Sequence, residues 1–529
     1  MPQKKNIKLI SDLDIYSEFE TSIRGGYVNA IKNYIELNNK NLDNFDPSKP
    51  ISSAAILDVN SLYPTTMVNK LPYGELEELT ESEIDGFDIM STEADGDYAY
   101  ALLVDYSIPD ATKLETDELP LSIHKMTVTE DDISSWSKKQ MEYSQYKMSK
   151  SDSLIADHTD QTSYLISIDR LQILMGLGVK VTKIHRIFRF KQDNFLEDFI
   201  RKNIHLRSTS NCEFTKTLYK LINNSLFGKF LFNSRKNAEQ TKIVLNKKHF
   251  DRVASSPLLK ECTIIGENKV IARSQANSIR FDSPLHLGWF ILERSKTFMY
   301  DLFYNKIKKW YPDGKVSLAY TDTDSLLLVF HGIDFMHEAK YGKISTILDR
   351  SNFGQDHPLY DDSNKGKLGF LKSETGPIAI KEVIALQAKC YSILLNDDST
   401  KKALKGIPVH IQKNKIMHET YRKVYDRVQK SVFVKVTQIR SKNCELFTTR
   451  TEKCAIRWFD NKRWYDGPNK SVAYGHPSIV RNPKQIISND DKVEKTVKFS
   501  FKPVKRSNPT EPWENMTHNV TKKAKLAFT

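Results

Sequence analysis

The sequence predicts an α+β fold of several units, and three observations carry that expectation. The chain has 529 residues, and about 150 residues per domain gives three or four units. Short apolar runs at 54–57 and within 316–330 read as buried strands. Helical patterning runs from Asp193 to Asn233 and again from Asp282 towards Pro312.

Hydrophobic residues make up 39% and charged residues 27%, which is too apolar for wholesale disorder. No stretch approaches the roughly 18 apolar residues of a membrane span. Met1-Pro2-Gln3-Lys4-Lys5 runs straight into charged sequence, so no signal peptide is read. The five cysteines form no CxxC pair, which argues against a disulfide framework or zinc knuckle and fits a reducing, intracellular compartment. The net charge of +13 fits a polyanionic partner, either nucleic acid or an acidic membrane.

In chain order, residues 1–50 read as a helical lead-in closed by Asn44-Phe45-Asp46-Pro47-Ser48-Lys49-Pro50. Ala54-Ala55-Ile56-Leu57 is a buried strand that delivers Asp58 at its end. Residues 106–165 are polar and broken by Pro109 and Pro120, as in a peripheral insertion. A second polar stretch at 236–275 reads the same way. Asp282-Ser283-Pro284 opens a helix through Trp289, Leu292, Met299 and Phe303, which should stop at Pro312-Asp313-Gly314. Residues 316–330 are two apolar strands about a polar tip. The last 49 residues carry 11 Lys/Arg against 5 Asp/Glu and read as a poorly ordered basic tail.

Three segments carry chemistry. Asp322 and Asp324 are two apart, so in a strand they share a face. Two carboxylates between apolar strands repel each other and lose hydration, so one takes up a proton unless a cation compensates. Oxygen-only ligands suggest Mg²⁺. A bare DxD is also an ordinary Asx turn at a hairpin tip, and Asp58 alone would be an ordinary helix cap. The third segment is a helix with Lys216, Lys220, Asn224 and Phe227 on one stripe, with Leu218, Leu221 and Ile222 on the other side to seat it. Two lysines one turn apart suit an anion such as a triphosphate. Without further context they would be a solvated face.

In order, the segments are Asp58-Val59-Asn60-Ser61-Leu62-Tyr63-Pro64, Lys220-Leu221-Ile222-Asn223-Asn224-Ser225-Leu226-Phe227-Gly228 and Tyr320-Thr321-Asp322-Thr323-Asp324-Ser325. They resemble the DxxSLYP, Kx3NSxYG and YxDTDS motifs of family B DNA polymerases. Lys389-Cys390-Tyr391 is similar to that family's KxY element, and Ser22-Ile23-Arg24-Gly25-Gly26 to its YxGG-type linker. The likeness covers roughly residues 8–480. It is nearest the protein-primed branch, and within it Polinton/Maverick-type mobile elements and related viruses. Ile23-Arg24-Gly25-Gly26, the segment from Gly178 to Arg186, and Phe459-Asp460-Asn461-Lys462-Arg463-Trp464 support that placement.

The resemblance implies a right hand: an antiparallel palm sheet with helices, helical fingers, a thumb and two insertions. The implied divisions are a lead-in (1–53), palm (54–105), first insertion and return to palm (106–185), fingers (186–235), second insertion (236–275), palm (276–395), thumb (396–480) and tail (481–529). It implies DNA synthesis from deoxynucleotides on a template-primer, with two Mg²⁺ ions held by Asp58, Asp324 and the Val59 carbonyl and assisted by Asp322. It implies that Lys220, Lys216 and Arg207 face the triphosphate, and that Tyr63, beside Ser61 and Leu62, excludes a 2′-hydroxyl. Asn224 and Phe227 would meet the nascent base pair. Lys389, Tyr391, Ser225, Gly228, Gly25, Gly26 and Thr323 would meet DNA. A priming (terminal) protein is the implied partner, at a nuclear or viral replication site, with no membrane.

Two departures stand out. Phe227 occupies a position where the family usually has Tyr. Only 57 residues precede Asp58, so no proofreading exonuclease is expected; Asp12-Leu13-Asp14 has no companion carboxylates. Two other readings compete: a catalytically inactive DNA-binding remnant, against which the three surviving carboxylates argue, and an RNA-directed or RNA-making enzyme, against which Thr323 and Tyr63 argue.

Overall fold

The computed structural model describes residues 5–236, 238–442 and 445–479. The chain forms two units. Among the described residues, the first comprises the chain up to Leu231, Pro284–Val434 and the segment from Lys453, and the second comprises Phe232–Ser283 and Lys435–Glu452.

The first unit is organised on a six-stranded sheet. Its strands are β1 (Val28–Ala30), β2 (Ser52–Val59), β3 (Val316–Asp322), β4 (Ser325–His331), β5 (Leu348–Asp349) and β6 (Leu371–Ser373), in spatial order β1-β3-β4-β2-β6-β5. All pairs are antiparallel except β5 with β6. The uninterrupted apolar runs of β2 and β4 have a physical cause: both faces of the sheet are covered. Side chains alternate across a strand. Ala55, Leu57, Leu326, Leu328 and Phe330 therefore enter one core, with Leu102, Tyr300 and Phe303. Ala54, Ile56, Leu327 and Val329 enter another, with Ala319, Val383 and Ile393. That second core separates the sheet from a four-stranded one, Tyr34–Glu36, Ile380–Gln387, Cys390–Leu395 and Thr400–Leu404.

The predicted helix from Pro284 is present as Leu285–Tyr300 and is almost wholly buried. Pro284 is its N-cap rather than its first helical residue. The helix continues through a π turn and a last turn that ends at Trp310, just ahead of Asp313 and Gly314 with their positive φ (59° and 70°). The expected helical stretch resolves into Glu197–Thr209 and Glu213–Phe230, joined by a three-residue link and tied by Asn203 Nδ2 donating to Asn223 Oδ1 (2.8 Å, both buried). The expected start at 186 falls inside the strand Lys180–Asp193.

The polar stretch expected as a first insertion is not irregular. Tyr98–Ser107, Gln161–Ser167 and Lys180–Asp193 form a four-stranded antiparallel sheet with Leu71–Glu78. Between them, the pair Ser122–Met126/Ser153–Asp157 and the helix Ser135–Tyr143 share a small core with Phe459 and Tyr474. The polar sequence there hides scattered buried positions, among them Ile123, Ile133, Met141 and Ile155.

The same C-terminal segment seals the edge beside β1. Lys462 Nζ donates to the Val28 carbonyl (3.2 Å), the Tyr465 hydroxyl to Ala30 (2.6 Å) and the Ser471 hydroxyl to Ile31 (2.9 Å). Asn469 Oδ1 accepts from the amides of Asn33 and Tyr34. Side chains thus supply the partners that an edge strand needs. Arg463, fully buried, donates to the Asp117 carboxylate (2.6 Å) and carbonyl (2.8 Å).

In the second unit, Glu239–Val244, Lys269–Gln275 and Leu259–Gly266 form a three-stranded antiparallel sheet. The helix Lys247–Ala254 accompanies it, and Val244, Phe250, Val270 and Ala272 make its core. The stretch expected as a second insertion is therefore folded, with strands and a helix between Glu239 and Gln275. Among the described residues no helix is long and apolar enough to cross a membrane. Cys212, Cys262, Cys390 and Cys454 are free thiols. The basic tail expected at 481–529 lies outside the described residues.

Candidate active site

Sheet register brings the carboxylates together. Asp58 stands opposite Ser325, and the Val59 amide donates to the Asp324 carbonyl (2.8 Å). Asp58 has the parity of Ala54 and Ile56, so it emerges at the end of the core between the two sheets. Asp322 and Asp324 do not share a strand face as expected. β3 ends at Asp322, and Thr323 and Asp324 form a two-residue loop before Ser325, with Thr323 in the left-handed region (φ 65°). A β-branched residue there is strained by about 1 kcal/mol or more. Two features hold it: its amide donates to Tyr27 O (2.8 Å), and Gly26 lies so close that a Cβ there would stand 2.2 Å from Thr323 Oγ1.

The electrostatics separate the three acids. Burial, then the neighbouring Asp324, pushes the Asp58 carboxyl up to about 7, with Lys220 and Lys401 opposing. Burial also raises Asp324, with a further push from Asp322. Among the described residues no lysine, arginine or histidine nitrogen lies within 4.0 Å of either carboxylate. Asp322 differs: Lys389 Nζ donates to both of its oxygens (2.7 and 2.8 Å). No group of three His, Cys, Asp or Glu side chains that could hold a metal occurs among the described residues. The donors that fit a hard divalent cation are therefore Asp58 and Asp324, a half-buried acidic pair with no direct ion-pair partner among the described residues, which Val59 O could join.

The other predicted residues separate into those the fold gathers and those it leaves apart. Ser61 has φ 56° and turns the chain from β2 into the short helix Leu62–Met67, where Leu62 is buried and Tyr63 half-buried. The Tyr63 ring stacks on Phe227, with centroids 4.3 Å apart and planes at 17°. Lys220 is exposed but close enough to lower both Asp58 and Asp324. Lys216 pairs with Glu213 (2.6 Å). Arg207 is half-buried in the preceding helix, and among the described residues no hydrogen bond or ion pair ties it to the carboxylates. Asn224, Ser225 and Gly228 are exposed on the same helix, with open space beside Gly228. Leu218 and Leu221 do not seat that helix: they are 40% and 58% exposed, and buried Asn223 and Phe230 anchor it instead. Tyr391 packs edge-on against Tyr320 (4.9 Å), and the Tyr320 hydroxyl accepts from the Lys389 amide (2.9 Å). Gly25 is exposed, whereas Gly26 faces Thr323.

Sequence reasoning missed Lys401, which pairs with Glu374 and is lowered by burial while Asp58 opposes. It sits in a polar run with no motif to mark it. It also missed the buried cluster behind the Thr323 loop. Arg170 and Glu293 form an ion pair (2.9 Å) with almost no solvent exposure, and Lys296 joins it (3.3 Å). The mixed polar and apolar spacing of 285–300 gave no sign that these charges were internal.

The two-sheet α+β core thus carries Asp324 at a hairpin tip, Asp58 on the neighbouring strand and the helix pair Glu197–Thr209 and Glu213–Phe230. Phi29 DNA polymerase, in its orthorhombic crystal form, matches at a TM-score of 0.50 and 17% identity, over 86% of this chain and 64% of that one. Phi29 DNA polymerase complexed with primer-template DNA and incoming nucleotides matches at 0.47 and 17%, over the same shares. The family B DNA polymerase of the archaeon Pyrobaculum calidifontis matches at 0.26 and 10%, over 83% and 38%. The chain thus spans less than two thirds of the length of these structures. No curated protein matches it. Residues 1–301 match the family described as DNA polymerase type B, organellar and viral. The chain belongs to that family.

Proposed function

We propose that the chain is a template-directed DNA polymerase that transfers deoxynucleotides to a primer hydroxyl and serves protein-primed replication of a linear viral or mobile-element DNA. The observation that carries this reading is the juxtaposition of the acidic pair Asp58/Asp324 with Lys220 and the Tyr63–Phe227 stack. Anion-binding, metal-binding and sugar-facing groups thereby meet at one end of the inter-sheet core.

In this reading the primer oxygen forms a bond to the α-phosphorus while the bond to pyrophosphate breaks. Asp58, Asp324 and Val59 O would hold two Mg²⁺ ions, which when bound stabilise the attacking and leaving oxygens. Lys220, and Lys216 on release from Glu213, neutralise the triphosphate, with Arg207 in reserve on the neighbouring helix. Tyr63, braced by Phe227, lies against the sugar, and Asn224 lies beside the base pair. Lys389 leaves Asp322 for the primer strand, which frees Asp322 as an auxiliary ligand, and Tyr391 supports the same strand. Exposed lysines of the second unit, such as Lys242, Lys247 and Lys248, have the charge that duplex phosphates would attract. A priming protein would offer its hydroxyl at the primer position.

The test is primer extension with Mg²⁺ on the purified chain. Templated extension that vanishes in Asp324→Ala supports the assignment. DNA binding without extension would favour an inactive remnant.

A further inference from the structure

The acidic pair rests on a loop whose shape needs support from behind. Thr323 is left-handed, and its neighbour Gly26 can approach only because it has no side chain. Gly26 follows Gly25, which is exposed and has open space around it, so these two residues do not hold themselves in place. What fixes them lies one residue earlier. The Arg24 carbonyl accepts a hydrogen bond from Lys296 Nζ (2.8 Å), and Lys296 is buried in the long helix Leu285–Tyr300.

Lys296 is fully committed. Its three N–H groups go to Arg24 O, Leu292 O (3.1 Å) and Glu293 Oε1 (3.3 Å), which uses every donor an ammonium has. Glu293 is held in turn by Arg170 Nη1, which donates to both of its carboxylate oxygens (3.1 and 2.9 Å). The Arg24 guanidinium is clamped from the other side, lying 3.6 Å over the Tyr164 ring and donating to Leu165 O (3.0 Å). Lys296 and Thr323 line the same cavity of about 30 Å³, with Gly26 and Tyr27. Burying three charges in an apolar core is costly compared with apolar residues of equal volume. Nothing in the helix itself requires an ammonium at that position.

We propose that Lys296 is a positioning residue for the acidic pair: by holding the Arg24 carbonyl it sets Gly26 against Thr323, and so fixes Asp324 beside Asp58. The proposal rests on the polymerase reading for its catalytic consequence, but not for its effect on cation binding. A purely structural lysine would stabilise the fold without altering the acids. A positioning lysine alters how they bind a divalent ion in protein that is still folded.

Three variants test this: Lys296→Met, which keeps length and bulk but removes the donor; Gly26→Ala, which disturbs the same relay without touching the buried charges; and their combination. Mn²⁺ binding is followed by electron paramagnetic resonance at a temperature where circular dichroism shows each variant folded. Primer extension is measured in parallel across a Mg²⁺ titration. The expected result is Mn²⁺ affinity at least fivefold weaker in each single variant. The Mg²⁺ midpoint should rise, kcat should fall at least tenfold, and the KM for deoxynucleotide should change less than twofold. The double variant should be scarcely worse than either single one, as residues in one relay are non-additive. Wild-type Mn²⁺ affinity in folded Lys296→Met overturns the proposal, as does full additivity in the double variant. If Lys296→Met does not fold, Lys296→Ala, which also removes the donor to Arg24 O, takes its place under the same Mn²⁺ measurement, and wild-type affinity in it overturns the proposal. If the wild-type chain extends no primer yet the variants weaken Mn²⁺ binding, the positioning role stands and the polymerase reading fails.

Discussion

Tyr63 and Phe227 stack face to face, 4.3 Å between centroids, although 164 positions separate them in the chain. The contact joins the turn after β2 to the helix that carries Lys220. It also gives Phe227 a role that does not require the hydroxyl usual in the family. An aromatic pair of this kind contributes about 0.5–1.5 kcal/mol beyond area burial.

Tyr63→Val should therefore admit ribonucleotides. A steric and desolvation penalty of about 3 kcal/mol is already over a hundredfold in rate, so its removal should raise the ribo/deoxy ratio of kcat/KM by that order. Phe227→Ala, which removes the brace but leaves the gate, should raise the ratio by about fivefold, whereas Phe227→Tyr should leave it unchanged. Equal ratios for Tyr63→Val and wild type would remove Tyr63 from sugar selection.

Asp58→Ala and Asp324→Ala should each abolish incorporation and leave primer-template affinity within about threefold. Duplex affinity comes mainly from lysine and arginine contacts to phosphate, so removing an acid does not weaken it. Parallel extension and fluorescence-anisotropy measurements distinguish the two effects. Near-normal extension by either variant would sink the metal assignment.

The acidic pair also predicts a pH signature. Asp58 is raised from 3.8 to about 7 in the fold, so the folded state holds a proton that the unfolded chain has lost. Stability without metal should decline as pH rises from about 4 through about 7, because the unfolded state binds fewer protons in that window. Thermal melts between pH 5 and 8 should show the decline in wild type and a flatter profile in Asp58→Asn. Added Mg²⁺ should restore stability at pH 8 and have little effect at pH 5, where the proton competes with it. A wild-type slope identical to that of Asp58→Asn would contradict the raised carboxyl.

Arg463→Ala should destabilise the first unit by about 3 kcal/mol or more. It strips the partner from Asp117 and leaves an empty buried slot, and breaking a buried pair costs about 3–5 kcal/mol. A lowered first thermal transition, with the second unit melting unchanged, is the expected outcome. A variant as stable as wild type would mean that the C-terminal segment is not holding the edge of β1.

The sequence by itself determined the elements whose signal is local. The apolar run 54–57, the hairpin over 316–330, the proline-started helix and its Pro312-Asp313-Gly314 stop all have short-range causes in burial and turn chemistry. The motif residues Asp58, Tyr63, Lys220, Phe227 and Asp324 were legible because their types and order were sufficient to mark them. Tertiary structure alone decided which acid is free and which is paired: Lys389 is 67 positions from Asp322, and no local pattern could show it turning there. Tertiary structure likewise gave the polar 106–165 segment its strands: Ser122–Met126 pairs with Ser153–Asp157, Gln161–Ser167 with Tyr98–Ser107, and the small core beside them takes Phe459 and Tyr474 from far along the chain. It also placed Glu293 and Lys296 inside the protein. A buried charge and a solvated one look the same in sequence. Only the packing of Arg170, Tyr164 and Arg24 around that helix removes the water and turns two polar residues into the support of the Thr323 loop.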